Sequence, residues 1–302
     1  MGVPESAGAG RFRLVGAPGE HGGLAVIERS VDIADQRIAF VESAGTGPAV
    51  VLVHGNSSSS RVWHALMAGP FGQRFRCLAL DLPGHGRSAR ATRPDTYSLP
   101  GYAAVLAGFG KAMAAEDAVV VGWSLGGHIV LEATPALDSA PGFVIVGTPP
   151  VGTQAQLGEA FLPNPAVNVG FTADVDTETA VFYAANFLAP GSTVPTDEFV
   201  ADILATDGQA RSGLIASVGE GRFTDEVAVV GGLTQPIAVL HGEHDQLVNL
   251  DYLREQTMPT LWRGAVQVLP GAGHTPHVEA TERFADLVTQ FIDGLDATGD
   301  PS

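Results

Sequence analysis

From about residue 24 the chain alternates short, nearly all-apolar runs with segments whose apolar residues recur every three or four positions. Segments 24–28 and 36–42 read as an opening antiparallel pair of strands. Runs at 49–53, 77–81, 118–121, 143–146, 237–240 and 265–269 are apolar on both sides of the strand period, as strands buried on two faces must be. Between them, 101–115 and 125–133 read as helices, the second stopped by Thr134-Pro135. Segment 279–295 carries one core-facing stripe of Phe284, Leu287, Val288, Phe291 and Ile292. This alternation predicts a doubly wound α/β sheet.

One interval breaks the rhythm. Residues 151–230 hold no strong strand run but contain helical pieces at 179–188 and 197–205, the second ended by Asp207-Gly208. An insertion of this length after a sheet strand predicts a helical cap over the strand ends, and an ordinary run of crossover helices is the plainer alternative. The expected organisation is therefore an extension at 1–23, a core of 24–150 with 231–296, a cap at 151–230, and a disordered tail at 297–302.

Composition narrows the function classes. The 302 residues are 45% hydrophobic and only 16% charged, enough apolar material for a sizeable core. A formal charge of -17 disfavours nucleic acid and anionic membrane surfaces as partners. No run approaches the roughly 18 apolar residues of a membrane span. The single cysteine, Cys77, lies in an apolar run and reads as a buried structural thiol. Residues 1–23 lack the apolar core of a signal peptide, so a cytoplasmic protein is expected.

The candidate chemistry centres on VVVGWSLGGHIV at 119–130. A β-branched run enters Gly122, and a helical segment leaves at Leu125. A strand-turn-helix junction with serine at its apex projects the Ser124 hydroxyl beyond the sheet edge. Serine needs a base, and the base needs an acid to orient it. On this scaffold they follow in the order serine, acid, histidine, at the carboxyl ends of later strands. Asp245 follows the 237–240 run and His274 follows the 265–269 run, so both fall at the edge that carries Ser124.

Nine histidines compete for the base. His54, His85 and His241 sit in turns, His128 lies within the helix after Ser124, and His277 is the serious rival. For the acid, Glu243 would need a shifted loop, Asp251 belongs to the next helix, and Asp81 reads as a structural residue of its own turn. Two backbone donors should hold the developing oxyanion: the N–H of Leu125 at a helix start, and that of Asn56 after the 49–53 strand. The polar run 56–60 also suits a helix N-cap. His241-x-x-His244-Asp245 and His274-x-x-His277 could supply metal ligands in principle, but a serine mechanism requires none, and neither metal nor cofactor is expected. Phosphate-loop and dinucleotide fingerprints are missing from the sequence.

These words together resemble the α/β-hydrolase family over about residues 31–295. The resemblance is carried by His54-Gly55-Asn56, Asp81-Leu82-Pro83-Gly84-His85-Gly86-Arg87-Ser88, Gly122-Trp123-Ser124-Leu125-Gly126 and Gly273-His274. Within the family, HGNSSS at 54–59, GWSLGGHI at 122–129 and GTPPV at 147–151 resemble the acyl-homoserine lactonases. The resemblance implies a mostly parallel eight-stranded sheet with helices on both faces and a helical lid. It implies Ser124 as nucleophile, His274 as base and Asp245 as acid, the commoner family choice where some relatives use Glu. For Tyr183 it implies a bond to the substrate carbonyl or acyl amide, against simple packing in the lid. Gly55 and Trp123 stand as substrate-pocket residues, with Trp123 packing beneath the turn as the alternative. The implied substrate is a small ester or lactone with an apolar acyl chain, turned over by a monomer or homodimer. General carboxylesterase, carbon–carbon hydrolase, perhydrolase, cofactor-free oxygenase and slow receptor-like readings stay open. Dehalogenases and epoxide hydrolases are disfavoured, since they need Asp where Ser124 stands.

Overall fold

The computed structural model describes residues 26–298. The expected extension at 1–23 and most of the expected tail at 297–302 lie outside the described residues; the last helix, Thr281–Thr298, reaches just into that tail. The strands are β1 (Ile27–Ile33), β2 (Gln36–Glu42), β3 (Ala49–Val53), β4 (Arg76–Leu80), β5 (Val119–Trp123), β6 (Phe143–Val146), β7 (Ile237–Gly242) and β8 (Gln267–Leu269). They form one eight-stranded sheet in the order β1-β2-β4-β3-β5-β6-β7-β8. The pairs β1–β2 and β2–β4 are antiparallel and the rest parallel. This is the doubly wound, mostly parallel sheet that the apolar runs predicted.

The first strand lies further along the chain than its apolar residues suggested. Its register pairs Ile33 with Gln36 across Ala34-Asp35, with Ala34 at φ 54°. A turn that tight fixes where the partner of β2 must end. The strand therefore occupies Ile27–Ile33 rather than 24–28, and residues 24 and 25 lie outside the described part.

Chain direction then creates the site. From β3 the chain steps to β4 on one side and returns to β5 on the other. Right-handed crossovers stepping in opposite directions put their helices on opposite faces of the sheet. The crevice they leave lies outside the carboxyl ends of β3 and β5, where α/β folds place ligands. Helix Leu99–Ala112 packs on Leu125–Ala133, and His64–Ala68 packs on Thr281–Thr298. The last helix buries Phe284, Leu287, Val288, Phe291 and Ile292, the stripe read from its periodicity.

Between β6 and β7 lie helices including Thr177–Ala185, Asp197–Ala205, Gly208–Gly219 and Glu226–Gly232. The helix Gly208–Gly219 had no clear signal in sequence, because three glycines dilute any stripe. It starts where Asp207 accepts the Gln209 N–H at 3.1 Å, so Asp207 caps a new helix rather than merely ending the previous one.

Buried histidines make this fold acid-sensitive. His54, just past β3, accepts the Leu82 N–H at Nε2 (3.0 Å) and donates from Nδ1 to the Gly55 carbonyl (2.7 Å). Only the neutral ring can do both. Burial pushes His54 down to about 4, and burial together with the nearby His54 ring pushes His85 down to about 3. Above the unfolded value of 6.5 both states are neutral and stability is full. As pH falls through 6.5 the unfolded chain takes up protons that the folded chain refuses until about pH 4. For His54 the expected loss over that window is about 2–3 kcal/mol. Urea midpoints measured across it should show this loss, with a shallower slope in His54→Gln. An unchanged slope would assign the acid sensitivity elsewhere.

Candidate active site

Ser124 occupies the junction between β5 and helix Leu125–Ala133 with φ 52° and ψ -119°, a region few L-residues enter. Holding a side chain there costs about 1–3 kcal/mol. The surrounding bonds hold it in place. The Ser124 N–H donates to the Val146 carbonyl at 2.8 Å, and the Ser124 carbonyl accepts from the Gly127 N–H at 2.8 Å and the Thr148 hydroxyl at 3.0 Å. The bend also needs glycine on both sides. A Cβ on Gly122 would lie inside the Gly126 backbone, and one on Gly126 would run into the Val53 and His54 carbonyl oxygens.

His274 and Asp245 arrive from neighbouring strand ends. His274 Nδ1 donates to Asp245 Oδ2 at 2.8 Å, while Asp245 Oδ1 accepts the Leu247 and Val248 N–H groups at 2.8 and 3.1 Å. Burial alone would raise the Asp245 carboxyl. The charge and hydrogen bond of His274, with His241 and the Leu247 N–H, outweigh burial and hold it below the usual carboxylate range. The His274 loop is pinned from three directions. Its carbonyl accepts the Trp123 indole N–H at 2.8 Å, Glu279 accepts the Gly273 N–H at 2.8 Å, and Thr275 donates to the Phe187 carbonyl at 3.2 Å. Glu279 also accepts the Ala189 N–H at 2.8 Å, tying this loop to the segment after helix Thr177–Ala185.

Ser124, His274, Asn56, Leu125 and Tyr183 all line one cavity of about 340 Å³, whose other walls include Leu99, Phe161, Phe171, Leu214 and Phe223. Leu125 is the first helical residue, so its N–H has no partner within the helix. The Asn56 side chain donates to the Gly170 carbonyl at 2.6 Å. The next residue, Ser57, sits at φ 56° and donates to Asn56 Oδ1 at 3.1 Å. Arg211 reaches in from helix Gly208–Gly219 and donates to Ser57 Oγ at 3.3 Å and to the Thr172, Ala173 and Ile203 carbonyls. Ser59 caps the turn at Ser60–Trp63 and donates to Asp202 Oδ2 at 2.6 Å. The polar loop 56–60 is therefore stitched to the helices of 151–230.

Two of the expected pocket residues lie off the cavity wall. Trp123 is buried beneath the turn and is absent from the cavity wall, because its indole is committed to the His274 carbonyl. Gly55 also lies off the wall: it faces the Trp123 ring so closely that a Cβ would sit 2.9 Å from it. Of the rival bases, His277 is clamped between Trp63 and Trp123, with ring centroids at 4.4 and 4.9 Å, and neither ring nitrogen has a hydrogen-bond partner. Burial, with His274 adding to it, drives His277 well below the ordinary histidine value. Tyr183 is buried on the cavity wall, and its hydroxyl and the Asn56 amide both face Gly170. Glu279, Arg211, Asp202 and Glu226 carry no local sequence signal, and each has at least one partner far away along the chain.

Comparison with known proteins identifies the family and the fold. The model of the alpha/beta hydrolase family matches residues 50–287. The chain is 30% identical over 261 residues to a pimeloyl-[acyl-carrier protein] methyl ester esterase of Methylococcus capsulatus, covering 84% of this chain and 98% of that one. It is 30% identical over 281 residues to a 2-(acetamidomethylene)succinate hydrolase of Mesorhizobium japonicum, covering 88% and 95%. Among solved structures, the E219G mutant of the N-acyl homoserine lactonase AidH, complexed with N-hexanoyl homoserine, superposes with a TM-score of 0.86. It is 32% identical and covers 92% of this chain and 99% of that one.

The crowded bend makes a stability prediction. Gly126→Ala should cost about 3 kcal/mol or more, because backbone carbonyls cannot step aside as a flexible side chain can. Gly294→Ala, on the last helix with nothing within 4 Å of its added Cβ, should instead stabilise by about 0.5–1 kcal/mol. Chemical denaturation of the two variants side by side checks both signs.

Proposed function

The chain belongs to the α/β-hydrolase family, and from that premise we propose that it is a serine hydrolase of carboxylic esters and lactones whose preferred substrate is an N-acyl-homoserine lactone. The observation that carries this reading is the Asp245–His274 pair opening onto the same apolar cavity as Ser124. With Nδ1–H committed to Asp245, His274 keeps Nε2 as the proton acceptor. In the proposed reaction His274 takes the Ser124 proton and Ser124 attacks the lactone carbonyl. The N–H groups of Leu125 and Asn56 hold the oxyanion. The ring oxygen leaves with the proton from His274, and water activated by the same imidazole then hydrolyses the acyl-enzyme. The Tyr183 hydroxyl bonds the substrate carbonyl or acyl amide, and the apolar walls take the acyl chain. Residues 151–230 act as the cap over this chamber, and the reaction runs in the cytoplasm.

The lactone preference draws on the motif words at 54–59, 122–129 and 147–151 and on the likeness to AidH. The relative named as a methyl ester esterase supports a general carboxylesterase as the second reading. Incubation with acyl-homoserine lactones of several lengths, with products identified by mass, separates them. Ring-opened acyl-homoserine is expected; free fatty acid would mean amide cleavage, and unchanged lactone would return the protein to the esterase reading. Ser124→Ala should lose at least about a thousandfold in turnover. Retained activity would sink the serine mechanism.

A further inference from the structure

A second carboxylate–imidazole pair stands on the wall of the same cavity. His128 Nδ1 lies 2.9 Å from both oxygens of Glu226, and Glu226 Oε2 also accepts the Val151 N–H at 2.8 Å. Glu226 is almost completely buried, whereas the His128 side chain keeps 14% of its surface accessible. Both residues line the cavity that holds Ser124. His128 belongs to the helix that begins just after Ser124, and its N–H closes back on the Ser124 carbonyl at 3.3 Å. Ser124 is the N-cap of that helix and His128 its fourth residue, one turn further along. The imidazole therefore sits about one helical turn from the nucleophile, inside the chamber.

A purely structural tie does not account for this pair. Burying a carboxylate beside an imidazole rarely stabilises more than apolar packing of the same shape. The neighbourhood is otherwise apolar, with Val151, Phe161 and Phe223 on the same wall. Among the described residues no hydrogen bond to His128 Nε2 accompanies the Nδ1–Glu226 contact, so one ring nitrogen is committed and the other open on a residue that lines the chamber. A polar atom in an apolar cavity is costly unless a partner meets it. A ligand hydroxyl is the group that fits in either protonation state. It donates to the lone pair of the neutral ring, and it accepts from Nε2–H of the charged one.

We propose that His128, oriented by Glu226, is a specificity-determining residue that hydrogen-bonds a hydroxyl carried on the substrate's acyl chain, away from the carbonyl that Ser124 attacks. His128 touches the substrate; Glu226 is a positioning residue that acts through the imidazole. The inference rests on the ester or lactone chemistry proposed at Ser124 and names the acyl chemistry that the same chamber selects.

The test compares N-(3-hydroxyacyl)- and unsubstituted N-acyl-homoserine lactones of equal chain length. Dissociation constants are measured by calorimetry on Ser124→Ala, alone and combined with His128→Phe, His128→Gln or Glu226→Gln. The Ser124→Ala protein should bind the hydroxylated lactone about 5- to 10-fold more tightly, and both His128→Phe and Glu226→Gln should bring that ratio close to one. The ratio cancels any general loss of packing, and His128→Gln with Glu226→Gln keeps the test open where the phenylalanine variant does not fold. Equal binding of the two lactones, or a preference that persists without His128, overturns the proposal. Binding does not require turnover, so the two readings fail separately. If the wild-type protein opens neither ring but the binding preference holds, the lactonase reading falls and this one stands. If neither lactone binds, kcat/KM on p-nitrophenyl esters of hydroxylated and plain acids is read instead, and an equal ratio there overturns the proposal as well.

Discussion

Where β5 turns into the helix Leu125–Ala133, the Gly126 backbone passes so near the Val53 and His54 carbonyls that no side chain fits between them. That approach brings the ends of β3 and β5 together at the point where the chain reverses its winding direction. It sets Ser124 in its unusual backbone conformation and leaves the Leu125 N–H unused at a helix start. It also brings Asn56, from the loop after β3, onto the same cavity wall. A side chain at Gly126 would push the helix off the sheet, and each of these positions would move with it.

The histidines around this junction divide according to the partner each one finds. His54, His85 and His277 are buried without a hydrogen bond to a carboxylate, and burial drives all three below the ordinary value. They serve as neutral spacers and hydrogen-bond joints. His274 and His128 each share a nitrogen with a buried carboxylate, Asp245 and Glu226, and both face the cavity. The carboxylate fixes the ring's orientation and leaves its other nitrogen for a ligand. This pairing distinguishes the histidines that can meet a substrate from those that hold the fold.

The segment between β6 and β7 adds no strand to the sheet, and long-range polar contacts help to bind it to the rest. Arg211 reaches Ser57, Asp202 takes Ser59 and Arg61, and Glu279 takes the Ala189 N–H. These contacts converge on the loops that carry Asn56 and His274. Movement of the segment would therefore be felt at the candidate oxyanion donors and base.

Sequence by itself determined the features written in short-range patterns. Strands buried on two faces, the stripe from Phe284 to Ile292, and the glycine-flanked bend at Ser124 depend on residues within a few positions of one another. Backbone geometry allows those patterns few alternatives. The meeting of Asp245 with His274 was readable because each lies in the loop after an apolar run at the same sheet edge. Tertiary structure alone decided which distant groups meet. Trp123 could line a pocket or pack beneath a turn until its indole found the His274 carbonyl, 151 residues away. His128 was an ambiguous helical residue until Glu226, 98 residues further on, came within 2.9 Å of it. Such pairs have no periodicity and no fixed spacing. They arise only when the segments are packed and each buried polar atom must find a partner in the space that remains.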